Sequence, residues 1–120
     1  TITIIANASS SCYDLYLAKN YDKALSVCGD RANEGDVDAQ YNLGVMYDQG
    51  YGVLQDYNQA IYWYKKAAEQ GLAEAQYNLA SLYNNGEGVL QDYNQAIYWY
   101  KKAAEQGLAK AQYNLALRYD

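Results

Sequence analysis

Along most of the chain, apolar positions recur three and four residues apart, which is the spacing of one face of an α-helix. In Tyr57–Glu69, a projection at 100° per residue puts Tyr57, Ala60, Ile61, Trp63, Tyr64, Ala67 and Ala68 on one broad arc. Tyr62, Lys65, Lys66 and Glu69 fall opposite. An arc that wide exceeds the contact with one neighbour, so this helix is expected to pack on two others. Asp56 with Gln59 forms an N-cap and capping box, and Gly71 supplies the stop. In the preceding segment Ala39, Leu43, Met46 and Tyr47 share an inner face, and Gly44 allows close backbone approach. The connectors DQGYGVLQD and NNGEGVLQD share a Gly-x-Gly. One glycine is suited to the left-handed end of a helix and the other to a tight reversal, with Val53 and Val89 tucked beneath the next helix.

The pattern repeats. YDKAL at Tyr21 is followed by YNQAI at Tyr57 and at Tyr93, and AQYNL begins at Ala39, Ala75 and Ala111. Both markers step by about 36 residues, a helical-solenoid period. Each unit thus holds a helix A (from AQYNL) and a helix B (from YDKAL or YNQAI), with no strand signal. The fold expected is all-α. Its parts are an N-terminal segment 1–8, a divergent capping hairpin 9–36, full repeats 37–72 and 73–108, and one further helix A over 109–120.

The opening TITIIANA differs from the rest of the chain: it is apolar and β-branched and closes on Ala6-Asn7-Ala8. It reads either as the end of a secretory signal peptide cut after Ala8, or as a plain terminal arm. Cys12 and Cys28 flank the turn at Asn20-Tyr21 almost symmetrically, as facing positions of a helical hairpin do. In an exported chain they would form a disulfide closing about 15 residues, worth about 3 kcal/mol. In a cytoplasmic one they would be buried thiols.

Composition narrows the chemistry. The net charge is −5, and the nine basic residues form no patch, which argues against nucleic acid. No apolar run reaches the length of a membrane span. Sixteen tyrosines, two tryptophans and no phenylalanine suit shallow cores with much surface, since each phenol needs water or a partner. The chain has no histidine, the usual general base and metal ligand. Two cysteines make no zinc site unaided, and the connectors fit no calcium loop. No metal, cofactor or catalysis is expected.

These residues resemble the Sel-one-like repeats, relatives of the tetratricopeptide repeats. Ala39, Gln40, Leu43, Gly44, Tyr47, Gly50, Gly52, Val53, Asp56, Ala60, Trp63, Lys66, Ala67, Ala68 and Gly71 match that pattern in order. The next unit repeats it through Ala75, Gln76, Gly86, Gly88, Val89, Asp92, Trp99 and Gly107. Asp38 replaces a small residue and Ala80 a glycine. The resemblance implies a right-handed α-solenoid whose helix A surfaces line a concave face, acting as a protein-binding scaffold. In bacteria, such proteins are often exported, so a periplasmic or secreted location is expected, with the cytoplasm as the alternative.

From Gly52 to Ala80 and from Gly88 to Ala116 the copies differ only at Glu74 against Lys110. Further on, Ser81 stands against Leu117. These positions project away from Ala75, Leu79 and Tyr83, so packing fixes one face and leaves the other free to vary. The expected partner-binding face is Asp38, Tyr41, Asn42 and Val45, then Glu74, Tyr77, Asn78 and Ser81, then Lys110, Tyr113, Asn114 and Leu117. Asp48, Asn84 and Asp120 continue it. Leu82 and Arg118 project to the packed side. Tyrosine rings and an amide ladder suit a protein or an extended peptide. Alternatives are a peptidoglycan or carbohydrate binder stacking sugars on the tyrosines, and a β-lactam-interacting, enzyme-like member. The latter branch of the family carries a cysteine pair in every unit, whereas residues 37–120 have none. Self-association through the incomplete last repeat is a further expectation.

Overall fold

The computed structural model describes residues 8–119, with side chains from Cys12 to Leu117. Residues 1–7 of the signal-like segment, the Arg118 side chain and Asp120 lie outside the described residues. Seven helices follow one another: α1 (Ala8–Leu17), α2 (Tyr21–Asn33), α3 (Val37–Gln49), α4 (Tyr57–Glu69), α5 (Ala73–Asn85), α6 (Tyr93–Glu105) and α7 (Ala109–Tyr119). Helices α3, α5 and α7 are the A helices, and α4 and α6 the B helices. No strand occurs among the described residues. The chain divides into two compact units, 1–63 and 64–120, the division falling within α4.

In the first unit α1, α2 and α3 pack on one another. Their core is Cys12, Ala24, Cys28, Ala32, Ala39, Leu43, Met46 and Trp63. The small residues set close helix spacing, while Met46 and Trp63 fill the remaining volume. Cys12 on α1 and Cys28 on α2 are disulfide-bonded, with Cα atoms 4.9 Å apart, and both are fully buried. In the second unit α6 packs on both α5 and α7. Tyr64, Ala67, Ala75, Leu79, Ala80, Leu82, Ala96, Trp99, Tyr100, Ala103 and Ala111 are buried there. Leu82 thus faces the packed side, as its projection predicts. Tyr93 does not follow Tyr57: it is half-exposed.

The connectors are built alike. Gly50 and Gly86 take left-handed φ values of 74° and 70°, and their N–H groups donate to the carbonyls of Met46 and Leu82. Gln55 Nε2 donates to the Asp48 carbonyl at 2.6 Å and Gln91 Nε2 to that of Asn84 at 2.8 Å. Asp56 and Asp92 accept from the N–H of Gln59 and Gln95, at 3.2 and 3.1 Å, and so cap α4 and α6. The reciprocal half of the expected capping box is replaced. The N–H groups of Asp56 and Asp92 donate instead to the carbonyls of Tyr47 and Tyr83, each at 2.9 Å. That bond ties the start of each B helix to its own A helix.

A glutamine fastens each A helix to the helix before it. Gln40 Nε2 donates to the Ala32 carbonyl (3.2 Å), Gln76 Nε2 to Ala68 (3.1 Å) and Gln112 Nε2 to Ala104 (3.1 Å). Each acceptor lies in the last turn of a helix, where carbonyls lack intrahelical donors. Gln76 is buried, and its Oε1 accepts from Gln106 Nε2 at 3.0 Å; the same Gln106 amide donates to the Gly71 carbonyl at 2.7 Å.

Gln76→Leu removes two hydrogen bonds, the one to the Ala68 carbonyl (which keeps the Gly71 N–H) and the one from Gln106, so urea unfolding should show a loss of about 1–3 kcal/mol. Gln112→Leu, at an exposed site where water replaces the amide, should cost less than about 1 kcal/mol. Cys12→Ser with Cys28→Ser should lower stability by about 3 kcal/mol in the same assay, from the entropy of the opened loop.

Candidate functional site

The expected face comprises positions that packing leaves free. In the structure five of those positions, on α5 and α7, contact one another or α6. Glu74 and Lys110, the one mismatch between the copies, form an ion pair of 2.9 Å from α5 to α7. Lys110 Nζ also lies 4.6 Å from the centre of the Tyr77 ring, within cation–π range. Asn114 Nδ2 donates to the Tyr77 hydroxyl at 3.3 Å and to the Lys110 carbonyl at 2.8 Å. Beneath them the Tyr77 ring tilts against buried Tyr100 at 5.6 Å, and the Tyr100 hydroxyl is 3.0 Å from Ser81 Oγ. Tyr77 is therefore held on three sides. It remains half-exposed.

The other positions divide by what covers them. Asn42 is a correction: it is only 5% exposed, and its Nδ2 lies 3.8 Å from Cys12 Sγ, because α1 packs over this part of α3. It offers nothing to a partner. Tyr41, Val45 and Asp48 on α3, and Asn78, Ser81 and Asn84 on α5, are half-buried. Asp38 is exposed, and its carboxyl is held above the usual range, by partial desolvation first and then by the charge of Asp36. On α7 Tyr113 is 67% exposed and Leu117 42%, while Asn114 is half-buried.

A second tyrosine cluster is one that sequence reasoning missed. At one end of the first unit Tyr21 and Tyr51 stack with planes 9° apart and centroids 5.3 Å apart. Tyr16 tilts against both, at 6.1 and 6.2 Å. Burial raises the Tyr16 pKa, and the nearby phenols of Tyr51, Tyr21, Tyr41 and Tyr13 raise it further. A side chain at Gly52, which has φ 75°, would put its Cβ 2.5 Å from that of Tyr21, so the connector lies directly on α2. The available signal was Tyr51 itself, which stands where the other connector has Glu87.

Among the described residues no group of three or more His, Cys, Asp and Glu side chains could hold a metal ion. None of these helices is long and apolar enough to cross a membrane.

Helix pairs stepped by 36 residues and fastened by the same glutamine define an all-α repeat solenoid. The family model described as Sel1 repeat matches residues 37–72, 73–108 and 109–120, and the chain belongs to that family. Repeats of this family generally act as protein-interaction scaffolds. Among solved structures, a Sel1 repeat protein from Oxalobacter formigenes is 39% identical with a TM-score of 0.85, over 89% of this chain and 44% of that one. A protective antigen present in uropathogenic Escherichia coli strains, displaying an SLR fold, is 33% identical with a TM-score of 0.86, over 96% and 26%. The chain thus spans less than half the length of either. Cysteine-rich protein B of Helicobacter pylori, 17% identical with a TM-score of 0.72 over 88% and 96%, shares the fold. No curated protein matched the sequence.

The half-exposed pair predicts a small coupling. A double-mutant cycle of Glu74→Ala and Lys110→Ala, read by chemical denaturation, should give about 0.2–1 kcal/mol, falling as salt is raised.

Proposed function

We propose that this chain is a non-catalytic scaffold that binds a partner protein or peptide through its helix A surfaces. The observation that carries the reading is the state of the tyrosines on α5 and α7. Tyr113 is 67% exposed, and Tyr77 keeps part of its ring open while Lys110, Asn114 and Tyr100 fix its orientation. A large ring held in place loses little side-chain entropy on contact, which is what interface anchors require. The contact residues proposed are Asp38, Tyr41 and Val45 on α3, Glu74, Tyr77, Asn78 and Ser81 on α5, and Lys110, Tyr113, Asn114 and Leu117 on α7. The fixed polar contacts around Tyr77 suit the backbone of a peptide.

The buried Cys12–Cys28 disulfide supports an oxidising compartment, so we place the protein in a periplasm or outside the cell. The lack of histidine supports the non-catalytic reading, since acid–base catalysis most often uses that side chain.

Replacing Tyr77 and Asn78 together by alanine should leave helical circular dichroism intact and abolish capture of the partner in pull-downs from the native compartment. Loss of helical signal instead would place both residues in the core. Trp63→Ala is the contrasting control: its side chain is 7% exposed, and its loss should cost about 3–5 kcal/mol.

A further inference from the structure

The two connectors share one backbone path yet differ at their tips. The second carries Glu87. The first carries Tyr51, which is 36% exposed and stacked on Tyr21, with Tyr16 against both. Three residues on, Leu54 is 91% exposed on a connector held by the Gln55 side chain and the Asp56 N–H. Charge is divided just as unevenly. Residues 1–63 hold eight of the fourteen carboxylates and three of the nine cations, and residues 64–120 hold six of each. The whole net charge of −5 therefore belongs to the unit that bears the tyrosine cluster.

We propose that Tyr16, Tyr21 and Tyr51 form a docking site, separate from the α5–α7 surface, for a proline-rich peptide carrying basic residues. Stacked and tilted rings give flat, rigid apolar walls of the kind on which prolines lie. A polyproline II backbone has no internal hydrogen bonds, so its carbonyls seek single donors. Phenol hydroxyls supply such donors. A sugar is less well matched: vicinal hydroxyls are read best by carboxylate or amide groups making paired bonds, and the three rings carry only phenols. The carboxylate excess of the unit attracts arginine or lysine, and repels an acidic ligand.

The test titrates the whole chain with a fluorescent peptide of prolines punctuated by two arginines, followed by anisotropy and by the Tyr ring resonances. Binding with a Kd below about 1 mM is expected, weakening as salt is raised. Tyr51→Glu installs the residue native to the other connector and adds a negative charge, yet it should weaken binding at least tenfold with helical circular dichroism unchanged at the temperature of the titration. Tyr51→Ala, which leaves the charge alone, should do the same. The Tyr77→Ala, Asn78→Ala double variant should bind this probe normally, which separates the site from the helix A surface. Four results would overturn the proposal: no binding by the parent chain, binding by both Tyr51 variants as tight as by the parent chain, equal binding of a peptide with glycine in place of proline, or ring shifts from a chito-oligosaccharide but not from the peptide.

Discussion

One contact recurs wherever an A helix meets the helix before it: a glutamine amide donates to a carbonyl in the preceding helix's last turn. Gln40, Gln76 and Gln112 make it at 3.2, 3.1 and 3.1 Å. A helix end leaves four carbonyls without intrahelical donors, and burying them unpaired is costly. The carbonyls of Ala32, Ala68 and Ala104 each accept the N–H of the glycine three residues on; the glutamine adds a second donor and ties the start of the next helix to that turn. With that register set, alanines at 39, 75 and 111 reach zero exposure. Gln76 bonds in addition to Gln106, so within the second unit one amide network spans the turn from α4 to α5 and the end of α6.

The near-identity of the two long copies takes its meaning from this arrangement. Identical helix B sequences reuse one packing solution, and identical connectors reuse one set of loop bonds. The single mismatch is a contact between the copies, Glu74 to Lys110. Half-exposed pairs add little stability. The consequence here is orientational: the pair places a cation over Tyr77 and brings Asn114 to its hydroxyl. A ring so fixed is a better contact element than a free one.

What was legible in the sequence was local. The 3.6-residue pattern placed the helices, Asp56 and Asp92 declared themselves as caps, and each Gly-x-Gly announced a left-handed stop without saying which glycine makes it; Gly50 and Gly86 do. Positions decided by tertiary neighbours were harder. Asn42 projects beside Tyr41 just as Asn78 does beside Tyr77, but α1 covers it, and no repeat pattern announces that helix. Helical projection likewise shows Glu74 and Ser81 pointing outward without showing that Lys110 and Tyr100 meet them. Tyr51 escaped because it precedes the long identical stretch, and its partners Tyr16 and Tyr21 belong to the divergent hairpin.

The A helices, and not the outward sides of the B helices, are the surfaces proposed to meet the partner. Hydroxyl-radical footprinting of tyrosine side chains, with and without bound partner, reads this directly. Tyr113, at 67% exposure, and half-exposed Tyr77 should become protected, while Tyr62 and Tyr98, at 52% and 51% on α4 and α6, stay reactive. Protection of Tyr62 and Tyr98 with Tyr77 and Tyr113 unchanged would contradict that assignment.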